Sequence, residues 1–389
     1  MRGIWAAIVV AGLAGLSTAA PVAQAARSVS TRVAACGPTW VVVPSPSFDE
    51  QFNLLLSAAA ISDQDVWAVG WHEASFTQPM QTLTEHWNGT QWTTISSPNI
   101  GTSSNSLAAV AAISATDVWA VGQYSTDTGP VDTLTLHWDG VQWNVVPSPN
   151  RSTQVNSLTA VAAVATDDVW AAGYEYDGPT QKAITEHWNG THWQLVKSPS
   201  PSLAENFVSG LAAVASGDVW GVGVSDLVTP FVEHWDGVKW QQVKAPNRGK
   251  RVWLWAVTTI NTADVWAVGY YGAQTGAKTA AEHWDGTRWR LSSTPNVGNH
   301  DNSFHGTAHV SSIDVWAVGD AVNGAFFDRR LIAHWNGLSW QVAASPNVGS
   351  QSNDLLAVAA LSDGKAWAVG TFVDEATGHR NTLVEQICE

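Results

Sequence analysis

Apolar and polar positions along this chain come in short bursts. No stretch beyond residue 25 carries the three-to-four-residue period of an amphipathic helix. Leu107 to Ile113 is a continuous run of small apolar residues, suited to a strand buried on both faces. A short turn ends at Asp117, and Val118 to Tyr124 reads as the next strand, broken by Gly122. After a variable loop, Thr133 to Trp138 reads as a third strand. Asp139-Gly140 is a two-residue hairpin signal, and Gln142 to Val146 is a fourth strand stopped by Pro147 and Pro149. The pattern predicts four short antiparallel strands and then a restart.

That restart recurs along the whole chain beyond residue 38. A D-V-W-A-V-G segment places Trp at 67, 119, 170, 220, 266, 316 and 367, at spacings of 46 to 52 residues. An E-H-W-[ND]-G segment centres on Trp87, Trp138, Trp188, Trp235, Trp284 and Trp335. A further Trp follows five residues later, at 92, 143, 193, 240, 289 and 340, and leads into V-x-S-P-N. Seven four-stranded antiparallel units at a period near 50 describe propeller blades. A solenoid, the alternative, would need polar capping units at its ends. Here the first unit is preceded by a lone fourth strand, Thr39 to Pro46, while the last stops after its third strand, Thr382 to Ile387. The expected fold is therefore all-β: a seven-bladed β-propeller with four antiparallel strands per blade, closed by an N-terminal strand in the last blade. Cys36 and Cys388, the two cysteines, fall at the same repeat position as Asn88, so a disulfide is expected where other blades have a hairpin turn.

The D-V-W-A-V-G strand, the E-H-W-D-G strand and the trailing W-x-x-V-x-S-P resemble kelch repeats over about 350 residues, all seven units. The resemblance implies blade architecture. This chain has one Gly where kelch repeats have two, and His-Trp where they have Tyr. The propeller of galactose oxidase is a kelch relative, but its copper site is not matched, since both cysteines are committed to closure. The S-x-D-x-G-x-T-W box of sialidases is absent.

Residues 1–25 read as a signal peptide: Arg2, an apolar run from Ile4 to Leu16, then the Ala23-Gln24-Ala25 cleavage pattern. Residues 26–38 read as a short connecting segment and 39–389 as the propeller. Export to the extracellular space is the expected localisation. The net charge of −15 argues against nucleic acid and anionic lipid as partners. The expected protein is a monomer that does not insert into membranes, takes no cofactor and binds no metal.

Chemistry is harder to read. The Trp rows fit inter-blade core, and the His row (His86, His137, His187, His234, His283, His334) fits structural hydrogen bonds, because six equal His around a ring cannot meet at one ion. Fourteen residues before each D-V-W Trp stands Asn53, Asn105, Asn156, Asn206, Asn302 or Asn353, with Val252 the exception. These amides either cap a turn or rim the channel and touch a polar ligand. The long variable connections, 71–81, 123–132, 320–330 and 371–381, all fall on one face, where binding concentrates. Repeats five and six deviate most. Arg248, Lys250, Arg251 and Trp253 make a basic aromatic stretch, and His300, Asp301 and Arg329 extend it, a patch suited to a carboxylate-bearing sugar or peptide. His305 and His309 share strand parity, which allows an acid/base or metal site. The expected function is a secreted binding module for an extracellular glycan or protein, through the variable loops. The alternative is an extracellular enzyme on a polysaccharide or small molecule, using loop Asp, Glu or His.

Overall fold

A computed structural model describes residues 39–48, 50–247, 251–273, 276–324 and 327–388. The predicted leader, Cys36, Arg248 and Lys250 lie outside these residues. Every regular element described is a β-strand, 28 in all. Strands follow the repeat. In the second unit Ser104–Ser114, Asp117–Ser125, Val131–Trp138 and Trp143–Val145 pair antiparallel in chain order. The middle hairpin runs further than its apolar pattern. Gln123, Tyr124 and Ser125 pair with Thr133, Asp132 and Val131, so much of what reads as loop is ladder. Backbone pairing continues after the side chains stop being core-facing. In the last unit Asn353–Ala360, Lys365–Val373 and Arg380–Cys388 follow in order, and Val41–Val42 lies beside the third of them, with Val41 opposite Gln386 and Val42 opposite Glu385. Cys388 pairs opposite Lys365, and no cysteine among the described residues is free.

Each inner strand carries a β-bulge near its start. The extra residue is Leu56, Ala108, Thr159, Ser209, Trp255, His305 or Leu356. The bulge accounts for the Gly of D-V-W-A-V-G. A Cβ at Gly269 would overlap the Trp253 carbonyl, and one at Gly122 the Ser106 carbonyl.

The D-V-W tryptophans are among the largest fully buried side chains. Each packs on the next unit: Trp67 on Trp138 and Trp143 at 4.9 and 5.2 Å, Trp316 on Trp40 at 5.3 Å, Trp367 on Trp87 and Trp92 at 4.9 and 5.4 Å. One ring of each pair stands edge-on, as aromatic quadrupoles favour, and burial of one such ring is worth about 4–6 kcal/mol by area. The repeated His ties two strands of its own unit. His187 Nε2 bonds Asp168 Oδ1 at 2.8 Å, and five other units repeat the pair at 2.7 to 2.9 Å. In the last unit both partners change together: Lys365 stands in the Asp position and turns to Asp63 and Asp363 at 2.7 and 3.1 Å, while Gln386 replaces the His. Beside the His, Glu85, Glu186, Glu233 and Glu385 are wholly buried. Burial pushes the carboxyls of Glu186 and Glu233 up to about 8, against hydrogen bonds from Ser148 and Ser198 that pull them down, and raises Glu85 well above its usual value. Glu385 instead pairs with buried Arg330 and accepts a 2.6 Å bond from Ser345.

Candidate functional site

A cavity of about 210 Å³ is lined by three residues from each of the seven inner strands. The bulged residues face it. Most are small or aliphatic, so the wall is bland except where repeats five and six place Trp255 and His305. From these two side chains contacts run both ways through the starts of the inner strands.

One way they are aromatic. Trp255 stacks on Trp253 at 4.9 Å and 18°, Trp253 lies 6.4 Å from Tyr270 and 6.2 Å from Phe207, and Phe207 lies 5.2 Å from Tyr174. The ladder has a simple origin. Trp253 is opposite Tyr270 in register, two residues before the bulge, and the neighbouring unit has Phe207 at the equivalent position. The other way they are charged. The Trp255 ring is 6.0 Å from that of His305, whose Nε2 bonds Asp320 Oδ1 at 2.5 Å. Burial pulls the His305 pKa down, but the bond to Asp320 and the charges of Asp320, Asp354 and Asp328 outweigh it, and the net shift is upward. Asp354 is buried and held by Arg380 Nη1 at 2.9 Å. Burial, with Asp328 and Asp320 close by, raises its pKa, and Arg380 opposes the rise. Asp328 is raised the same way, by burial and by Asp320. The arrangement offers flat apolar faces next to hydrogen-bonding groups of both signs.

Several expected site residues do other work. The six asparagines are buried, and both ends of each amide are taken by backbone. Asn302 Oδ1 accepts from Val297 N at 2.8 Å, while its Nδ2 donates to Val297 O and His300 O at 3.2 and 2.9 Å. Asn53, Asn105, Asn156, Asn206 and Asn353 repeat this, with Oδ1 accepting from Phe48, Gly101, Ser152, Ser202 and Val348 N at 2.7 to 3.0 Å. They pin the connection between units and do not rim the cavity. A buried amide needs all its partners, and a loop backbone four or five residues upstream supplies them. Trp253 is not the exposed ring expected beside the cations. It is half-buried in its aromatic stack, while Arg251 is exposed just before the strand. Asp301 Oδ1 accepts from Ala277 N at 2.6 Å, the His300 carbonyl accepts from Lys278 Nζ at 3.3 Å, and Arg329 donates to Gln351 O at 2.9 Å and to Ser350 O. These three brace loops. His305 and His309 do not meet, because His305 is itself the extra residue of the bulge and is turned to the cavity, while His309 stays in the regular ladder. His309 Nδ1 bonds Thr258 of the preceding unit at 2.7 Å. Among the described residues no group of three or more His, Cys, Asp or Glu is placed to hold a metal ion, and no helix is long and apolar enough to cross a membrane.

Asp320, Asp354, Arg380, Tyr270 and Phe207 were not singled out from sequence, and Trp255 was noted as a Trp outside the repeat but not as a site residue. The signal that marks Trp255 is the position eleven before each D-V-W Trp. It is small or aliphatic except at Trp255 and His305, and it carries weight only once the bulge turns it inward.

No family model matches this chain, and no curated relative does. Solved structures do. YCF48 bound to D1 peptide is 16% identical with a TM-score of 0.58, covering 92% of this chain and 100% of that one. YCF48 from Cyanidioschyzon merolae is 13% identical with a TM-score of 0.53, covering 90% and 98%. A chain of the mitotic checkpoint complex is 11% identical with a TM-score of 0.52, covering 94% and 98%. The fold is a β-propeller. At such identities the likeness extends to the fold and no further.

Proposed function

We propose that this protein is an exported seven-bladed propeller that binds an extracellular glycan at the end of the cavity where Trp253 and Trp255 stack. The leader-like residues 1–25 motivate export. The pairing of Val41–Val42 with Arg380–Cys388, and the packing of Trp316 on Trp40 and of Trp367 on Trp87, support seven blades closed through the N-terminal strand. The absence of a free cysteine among the described residues supports a closing disulfide between Cys388 and Cys36. Within that architecture the repeat is read as kelch-like.

One observation carries the binding reading: an aromatic ladder at a concave site, continuous with His305, Asp320 and Asp354. Aromatic faces with a few convergent polar groups are the usual composition of a ligand pocket. A sugar ring stacks on an indole and gives its hydroxyls to carboxylates. The test is a glycan array followed by calorimetric titration of the hits. Trp253→Leu and Trp255→Leu install residues that the first unit already has, Leu54 and Leu56, so folding is preserved. Each should weaken binding tenfold or more, about 1.4 kcal/mol. Full affinity in both variants would move the site elsewhere, and capture of a protein with no glycan bound would turn the reading to a protein surface. A hydrolytic enzyme is the second reading, favoured by the neighbouring carboxyls of Asp328 and Asp354. It requires a turnover that Asp354→Asn abolishes.

A further inference from the structure

We propose a second binding site, independent of the first, in a lateral groove of the third repeat that takes a small organic carboxylate with an aliphatic body. The groove has a volume of about 560 Å³ and lies between Lys182 to Thr185 of one strand and the tail Leu195 to Ser200, with Arg151 at its edge.

The groove lies where both partners of a tie found in other units are missing. In the first, second and fifth units the S-P-N tail is fastened to the start of the third strand by a Thr and an Asn, while the fourth and sixth keep the Asn but have Pro230 and Arg330 for the Thr. Thr82 N donates to Asn99 Oδ1 at 2.8 Å, Thr133 N to Asn150 Oδ1 at 2.9 Å and Thr279 N to Asn296 Oδ1 at 3.0 Å, and each Thr hydroxyl also bonds the tail. In the last unit Ser47 serves, accepting from Thr382 N at 3.0 Å. The third unit has Ala183 for the Thr and Ser200 for the Asn, and is alone among the seven in lacking both partners of the tie. Its tail is held further back, by Thr185 Oγ1 on Val196 O at 2.7 Å, and sideways, by Ser198 Oγ on Glu233 at 2.6 Å. Between those anchors the tail and the strand part.

The lining then selects the ligand. Leu195 and Val196 supply apolar surface along the tail, over a floor formed by the buried Ala183, Ile184 and Thr185, with Ser198 beside them. Three of the chain's 18 Lys and Arg residues border the groove, and no carboxylate is among the lining residues, in a protein of net charge −15. Arg151 is engaged by Glu175 at 2.8 and 2.9 Å, whereas Lys182 and Lys197 are exposed and form no ion pair among the described residues. An aliphatic chain fits the gap, and a carboxylate at its end meets two ammonium groups. A volume of several hundred Å³ is the size of a small-molecule pocket.

The experiment titrates octanoate, with octan-1-ol as the neutral control, into the full chain by calorimetry. Wild type should bind octanoate at least tenfold more tightly than octan-1-ol. Ala183→Thr with Ser200→Asn rebuilds the tie of the second unit. That variant should melt no lower than wild type and lose octanoate binding tenfold or more. Lys182→Gln with Lys197→Gln should erase the preference for the acid. Absence of octanoate binding to wild type, equal affinity for the alcohol, or full affinity in the variant with the tie restored would each overturn the proposal. Loss of octanoate binding in Trp253→Leu would also overturn it, by placing the ligand in the central cavity. Retention there separates this site from the glycan site, whichever of the two readings fails.

Discussion

At the scale of single residues, what decides is whether a polar atom has a partner inside the protein. Glu186 and Glu233 have little but a serine hydroxyl, and burial keeps them protonated up to about pH 8. In the unfolded chain the same carboxyls titrate near 4.5. Between those values the unfolded state has released protons that the folded state keeps, so stability falls as pH rises from about 4.5 to 8. Each group adds a slope of up to about 1.4 kcal/mol per pH unit. Chemical denaturation at pH 5, 6.5 and 8 should record that decline, and Glu186→Gln with Glu233→Gln should flatten it. A double variant with the wild-type slope would mean these carboxyls ionise freely. The His–Asp pair is the opposite case, with both partners present. His187→Ala leaves Asp168 without its partner, and we expect a loss of about 1–2 kcal/mol in denaturation. His187→Gln, the residue the last unit uses, should recover most of it.

At the scale of the strand, the bulge organises everything near the cavity. It turns one residue per inner strand inward and brings the backbone of the inner strand against the Gly of the next. Gly269→Ala therefore cannot be absorbed by a side-chain movement, because its Cβ meets the carbonyl of Trp253. We predict a loss of at least about 3 kcal/mol, or failure to fold, read by thermal melting. An unchanged melting temperature would mean that the bulge relaxes at no cost. The strands themselves were legible from short apolar runs, turn residues and the repeat, and so were their turns. The bulge was not, since no Gly, Pro or Asn marks the extra residue. For that reason the parity assigned to His305 and His309 failed, and Trp255, outside the repeat's Trp positions like Trp253, was not counted among the candidate site residues. The asparagine row shows the same limit: its spacing was visible, but the loop carbonyls that consume its amides lie on the connecting segment and carry no side-chain signature.

At the scale of the molecule, the first and last described strands pair with each other. Deleting residues 39–46 removes Trp40 and its contact with Trp316, and leaves Arg380–Cys388 without Val41–Val42 beside it. An uncovered strand edge invites pairing with other chains, so the truncated protein should aggregate or lose its cooperative melt in light scattering and calorimetry. Non-reducing peptide mapping of the protein should recover Cys36 linked to Cys388 under the proposed pairing, and two free thiols would overturn that pairing. A covalent loop of that length stabilises by at most about 6 kcal/mol in the chain-entropy picture. By itself the sequence determined the all-β class, the repeat, the tryptophan core and the placing of a lone strand at one end. Those follow from local period and from residues that every unit must share, because each unit solves the same packing problem. Which deviations matter was decided only by the tertiary structure. Arg251 stays exposed while Trp253, two residues on, is half-buried in a stack, and Trp255, His305, Asp320 and Asp354 come from three repeats and meet. Proximity of that kind is set by the bulges and by the arrangement of the inner strands around one cavity, neither of which leaves a mark within a single repeat.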